Sequence, residues 1–130
     1  MLFRSKLKRK KMKTKLFKRA SQMARYGEHK QHKVGCVIAK GNRTLSWGYN
    51  RDKTHSKSPH AWGYIHAEFD AIRRLNPEDL IGATIYIYRE KKNGDPALAK
   101  PCESCHSLIK DVGIKEICYT TENGFERQLV

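Results

Sequence analysis

The 130-residue sequence predicts an α/β fold, a three-layer α/β/α sandwich on one mixed five-stranded sheet that ends in a C-terminal β-hairpin. Three observations lead there. β-rich runs alternate with helical patterns along the chain. Gly or Pro stands at most of the boundaries between them. Asn123-Gly124 is followed by only six residues, too few for a crossover helix, so the last strand must return antiparallel to its predecessor.

The elements follow in order. Leu16, Ala20, Met23 and Ala24 recur at helix spacing, with Thr14 placed to cap and Gly27 to stop a helix over 14–26. Val34 to Ala39 reads as a strand, with Cys36 a small buried apolar residue inside it. A turn over Lys40–Arg43 leads to a second strand, Thr44 to Tyr49. Asn50 to Ile65 is polar and reads as a loop. A second helix is expected from His66 to Leu75, stopping before Pro77. Ala83 to Tyr88 is the third strand. Arg89 to Lys100, with Asn93-Gly94 and Pro96, is a turn or small excursion. Pro101 suits the first turn of a third helix that runs to Val112 and ends at Gly113. Ile114 to Thr120 is the fourth strand, and Asn123-Gly124 favours a tight type I′ turn into the fifth.

Charge divides the chain. The net charge is +14, and residues 1–19 hold ten Lys or Arg and no acid, leaving 17 bases against 13 acids elsewhere. We read residues 1–13 as a basic N-terminal arm and 14–130 as the folded domain. Such an arm attracts polyanions through screened electrostatics, and equally serves as a solvated tail. No apolar run approaches the length of a membrane span, and no secretory signal is visible. The expectation is a soluble cytoplasmic protein with no membrane partner.

Four cysteines are present, two of them spaced C-x-x-C. In an intracellular chain that spacing favours a metal site or redox pair over a disulfide framework. Cys102 and Cys105 can face one metal from the start of a helix, whose N-terminus favours their thiolates. His66 completes a one-imidazole, two-thiolate set that suits Zn²⁺ with a fourth position open to water. Bound zinc lowers the pKa of that water toward ~7. Glu68 is then the catalytic proton shuttle. On a regular helix, positions two apart do not share a face, so His66 and Glu68 converge only with first-turn geometry. Three other readings stay open: a closed structural site with His106 as fourth ligand, a C-x-x-C-H haem attachment, and a thioredoxin-like pair that leaves His66-Ala67-Glu68 unexplained.

With His66-Ala67-Glu68, Pro101-Cys102-x-x-Cys105 and Gly48-Tyr49-Asn50 placed, residues 14 to 120 resemble the cytidine and deoxycytidylate deaminase superfamily. The resemblance implies that fold, a Zn²⁺ cofactor, a ring-amine hydrolysis (cytosine to uracil in preference to adenine to hypoxanthine, since most relatives with this motif act on cytosine), and a substrate contact at Asn50. An Asn capping a turn is the alternative for Asn50. It also leaves a homo-oligomer open, since a neighbouring subunit commonly completes the pocket among relatives. The terminal hairpin and the long stretch from Tyr88 to Pro101 depart from the deoxycytidylate pattern.

Two substrate classes remain. A free cytosine nucleotide would have its phosphate held by Arg51, Lys53, His55, Lys57 or His60. A single-stranded DNA or RNA would use the same loop and the arm as a phosphate track, with Trp62 and Tyr64 stacking bases or simply packing the loop. Basic residues interleaved with aromatics tilt the choice toward nucleic acid. A third class is a non-catalytic, zinc-stabilised nucleic-acid-binding module, against which Glu68 argues.

Overall fold

The computed structural model describes residues 15–29, 32–52 and 65–130. The arm over 1–13, the capping position Thr14 and the loop residues Lys53, His55, Lys57, His60, Trp62 and Tyr64 lie outside them.

Helix α1 (15–24) leads to strands β1 (Lys33–Lys40) and β2 (Arg43–Tyr49), helices α2 (Ala67–Ile72) and α3 (Pro77–Leu80), and strands β3 (Thr84–Glu90) and β4 (Pro96–Ala97). Helix α4 (Glu103–Asp111) and strands β5 (Glu116–Thr121) and β6 (Gly124–Leu129) complete the order. The strands form one mixed sheet, β2-β1-β3-β5-β6, with β4 paired to β3. Only β3 and β5 run parallel, and α4 lies between them in the chain, as a crossover requires.

Side-chain alternation builds two cores from these strands. Cys36 and Ile38 of β1, Ile85 and Ile87 of β3, and Ile117 and Tyr119 of β5 face α2 and α4. Val37, Ala39, Tyr86 and Cys118, their neighbours in the chain, face Leu16, Phe17 and Ala20 of α1. The three-layer sandwich is therefore present, and of the stripe read for α1, Leu16, Ala20 and Ala24 are buried and Met23 is half-buried.

Four details differ from the expectation. The sheet has a sixth strand, because Pro96 and Ala97 pair with Glu90 and Arg89 inside what reads as an excursion. A two-residue edge strand carries too few side chains to show periodicity. The second helix ends at Ile72, short of the expected Leu75, and Pro77 is not its stop. Pro77 opens α3, since its fixed φ and missing N–H suit a first helical position. Helix α4 starts two residues after Pro101, with Cys102 as its N-cap. The final hairpin is antiparallel, but Thr121 pairs with Gly124, so the loop is Glu122–Asn123. No described non-glycine residue has positive φ, which excludes a type I′ turn with Asn123 in it. In this hairpin the positive φ falls on Gly124, at 141°.

The contact that positions the site is the seating of α2 on the β1–β2 hairpin. A Cβ at Gly48 would lie 2.5 Å from both the Ala67 carbonyl oxygen and the Ala71 nitrogen. The buried Cys36 thiol donates to the Ala67 carbonyl at 2.9 Å, and Ser46 Oγ donates to the Ala71 carbonyl at 2.8 Å. Cys36 is thus more than an apolar filler. Gly48→Ala should lift α2 from the sheet and destabilise the domain by ~1–3 kcal/mol, the usual scale of overpacking. Thermal unfolding of the variant checks this, and an unchanged Tm would contradict the tight approach.

Candidate active site

His66 is the N-cap of α2, with extended φ −71° and ψ 151°, and Glu68 lies in the first turn. His66 is thereby freed from helical spacing, which removes the difficulty of two side chains at i and i+2 sharing a face. Cys102 holds the equivalent N-cap place on α4, and Cys105 is in that helix's first turn. Both clusters therefore sit where helix dipoles favour negative charge.

The two N-termini meet. His66 Nδ1 is 3.5 Å from Cys105 Sγ and 3.8 Å from Cys102 Sγ. The potential ligand atoms of the three residues all lie within 4.8 Å of one another. Among the described residues, His66, Cys102 and Cys105 are the group gathered closely enough to hold a metal, and His106 does not join it. One imidazole and two thiols, with no fourth ligand among the described residues, fit a zinc ion that keeps an open position. The closed-site alternative loses its ligand. A lone redox pair leaves the placement of His66 against both thiols without a purpose.

Glu68 is 5% exposed and borders the same cavity as His66 and Cys102. Burial raises its carboxyl above the usual carboxylate range, and its own backbone N–H and the Cys105 thiol only partly offset that. A carboxyl so placed can hold a proton that an exposed one would lose. Burial, the Glu68 charge and the neighbouring Cys102 push the Cys105 thiol far up, so a metal taking its thiolate displaces a proton.

The cavity measures about 290 Å³. Beside the metal cluster it is lined by His29, His32, Asn50, Arg89 and Lys100. Arg89 meets His32 Nδ1 and donates to the Leu98 carbonyl at 3.4 Å. Burial, the Arg89 guanidinium and His29 hold the His32 ring below its ordinary pKa, so it is neutral at pH 7. Among the described residues that line the cavity, Arg89 and Lys100 are the fixed cations.

Two residues expected at the substrate are spoken for. Asn50 lines the cavity, yet its Oδ1 accepts from the Val34 N–H at 3.0 Å and its Nδ2 donates to the His32 carbonyl at 2.6 Å. It clamps the start of β1 across 16 to 18 positions of chain, which is neither a local turn cap nor a free substrate contact. The Arg51 guanidinium lies 4.1 Å over the Tyr49 ring, and its Nε is 3.1 Å from Asp70 Oδ1. It turns toward α2, away from the cavity. His60, Trp62 and Tyr64 fall outside the described residues. Reading the sequence missed His29, His32, Arg89 and Lys100. Lys100 had a signal, its adjacency to Pro101-Cys102. His32 and Arg89 converge because Val34 pairs with Arg89, a register no local pattern reveals.

Residues 10–121 match the family described as the cytidine and deoxycytidylate deaminase zinc-binding region. The deoxycytidylate deaminase of Mycobacterium phage D29 is 29% identical over 125 residues, covering 80% of this chain and 90% of the relative. The Homo sapiens deoxycytidylate deaminase is 28% identical over 101 residues, and the match spans 67% of this chain but about half, 51%, of that protein. The fold is shared with the dCMP deaminase of cyanophage S-TIM5. Its apo form aligns with TM-score 0.66 and 23% identity over 85% of this chain and 83% of that one. The form in complex with dCMP and dUMP aligns at TM-score 0.61 and 22% identity, covering 89% of this chain and 82% of that one. No helix among the described residues is long and apolar enough to cross a membrane.

The cluster predicts a metal phenotype. His66→Asn, Cys102→Ser and Cys105→Ser should each lower zinc retained through gel filtration from one equivalent to near none, whereas His106→Asn should keep it. Zinc lost in His106→Asn would revive the closed site.

Proposed function

We propose that this chain, which belongs to the cytidine and deoxycytidylate deaminase family, hydrolyses the cytosine of a free nucleotide such as dCMP to uracil, with His66, Cys102 and Cys105 holding zinc. The observation that carries the choice of a free nucleotide is the cavity. One small space is bordered by Glu68 and the metal cluster and also by the cations Arg89 and Lys100. At about 290 Å³ it stands at the small end of the range for small-molecule sites, ~300–1,000 Å³, and suits one nucleotide better than a strand. The relatives named as deoxycytidylate deaminases support the same choice. The tilt toward single-stranded nucleic acid rested on loop and arm residues outside the described structure and gains no support from them.

A zinc ion in that set lowers the pKa of a water toward neutrality. The chain's own work is proton handling and orientation. A Glu68 carboxylate oxygen takes a proton from the attacking water and gives it to ring N3 as the oxygen joins C4. It then carries the second proton to the 4-amino group, which leaves as ammonia while the C4 carbonyl forms. The burial that raises the Glu68 carboxyl suits it to hold the proton between these transfers. Arg89 and Lys100 meet the 5′-phosphate with charge-assisted hydrogen bonds, which fixes the distance of the base from Glu68.

Turnover of dCMP, deoxycytidine and a cytosine-containing single-stranded oligomer, followed as uracil formed by the zinc-loaded protein, tests the proposal. The monophosphate should exceed the nucleoside in kcat/KM by ~10-fold or more, and the oligomer should stay unchanged. An oligomer turned over faster than dCMP, with loss of that rate on removing residues 1–13, would overturn it. Glu68→Gln should lower kcat by ~10²–10⁴ while zinc content holds. Arg89→Ala should raise KM for dCMP by ~10–100-fold, the worth of a hydrogen bond to a charged group, and leave deoxycytidine unaffected.

A further inference from the structure

Asp70 is the most buried charged side chain described, at 0% exposure, and the proposed chemistry does not use it. It lies on α2, one turn beyond His66, and its backbone N–H donates to the His66 carbonyl at 3.0 Å. Its carboxylate has two sets of partners. The first comes from its own helix's end: Arg73 donates Nε and Nη2 to Oδ1 at 2.9 and 2.6 Å, and Arg74 Nη2 reaches Oδ2 at 3.5 Å. The second comes from the end of β2: the Tyr49 backbone N–H donates to Oδ2 at 3.2 Å, and Arg51 pairs with Oδ1. Burial alone would raise this carboxyl, but the Arg73 hydrogen bonds, the Tyr49 N–H and Arg51 outweigh it, and it stays ionised.

Tyr49 and Arg51 are the residues on either side of Asn50. Asn50 in turn holds the backbone of His32 and Val34, two further walls of the cavity. Arg51 is also tied through both of its backbone groups to Ile65, the residue before His66, at 2.9 and 2.8 Å. One carboxylate therefore links the helix that presents His66 and Glu68 to the strand end that presents Asn50, and through it to His32.

We infer that Asp70 is a positioning residue for the deaminase site: by gripping Tyr49 and Arg51 it fixes the nucleotide-facing wall of Asn50 and His32 against Glu68. The inference rests on the reading of this cavity as the site of cytosine nucleotide turnover. Small displacements between bound substrate and a proton shuttle cost rate steeply, because the reacting atoms must meet in a near-attack geometry.

A purely structural carboxylate would need all three arginines alike, whereas a positioning one distinguishes them. Arg51 is the arginine that flanks Asn50, while Arg73 and Arg74 extend from the same helix as Asp70. Zinc-loaded wild type, Arg51→Gln, Arg73→Gln, Arg74→Gln and Asp70→Asn are compared for kcat and KM on dCMP, zinc content and Tm, at a temperature where circular dichroism shows each folded. Arg51→Gln should lose at least tenfold in kcat/KM at full zinc content, with partial recovery in Arg51→Lys, and Asp70→Asn should lose as much or more. Arg74→Gln should lower Tm while keeping kcat/KM within twofold, and Arg73→Gln, which removes two bonds that orient the Asp70 carboxylate, should lose less than Arg51→Gln. Equal losses across the three arginine variants overturn the inference, as does a fall in Tm alone in Arg51→Gln. The arginine series decides the matter even where Asp70→Asn fails to fold. Absence of dCMP turnover in the wild type overturns the activity reading itself, and with it this inference, and shows in the wild type alone.

Discussion

The tight seat of α2 on the first hairpin governs the rest of the structure. Gly48 has no side chain, so backbone approaches backbone at a distance any Cβ would forbid. Cys36 and Ser46 then occupy carbonyls of α2 with their own donors. The helix is only six residues long and could not hold itself together by propensity. Packed in this way it becomes a rigid platform. Its N-cap carries the imidazole, its first turn sinks Glu68 out of water, and Asp70 one turn further on gathers the strand end. Each of those placements depends on the angle and depth at which the helix meets the sheet.

Electrostatics divides in a similar way. The chain's net charge of +14 says little about the site, because most of the excess belongs to the first nineteen residues. Around the cavity the charges are few and specific. Glu68 lies out of water, Arg89 is half-buried and Lys100 exposed, and His32 is held below its ordinary pKa by its surroundings. Asp70 and its three arginines form a separate network on the other side of Asn50. A bulk charge count cannot separate a tail that attracts anions from a pocket that orients one.

The sequence shows the chemistry more plainly than the geometry. His66-Ala67-Glu68 and Cys102-x-x-Cys105 are readable because local spacing specifies them, and the order of strands and helices is readable because hydrophobic periodicity does. The parts that were missed depend on contacts between distant segments. Pro96-Ala97 becomes a strand because β3 offers an edge to pair with. Arg89 reaches His32 because of the β1–β3 register. Arg51 looks like a phosphate ligand in a basic loop, yet a buried carboxylate nineteen positions along the chain draws it away. Asn50 was open between a turn cap and a substrate contact, and its hydrogen bonds make it instead a long-range clamp on the backbone of His32 and Val34 that still borders the cavity. Asn123-Gly124 gave the right strand direction and the wrong turn, because the ladder's register places Gly124 within β6.

The separation of the ligands in the chain has a thermodynamic consequence. His66 and Cys102 are 36 positions apart, with the whole of β3 between them. An unfolded chain does not offer them as a set, and the loop entropy of bringing them together is met by the sheet before any ion arrives. An ion would then find the full three-ligand set in the native ensemble alone, the denatured chain offering at most the local Cys102–Cys105 pair. By mass action, every tenfold excess of free metal over its dissociation constant deepens the native well by about 1.4 kcal/mol. With a metal bound there, the abundance of folded protein would be coupled to the metal supply of its surroundings, even for molecules that never meet a nucleotide.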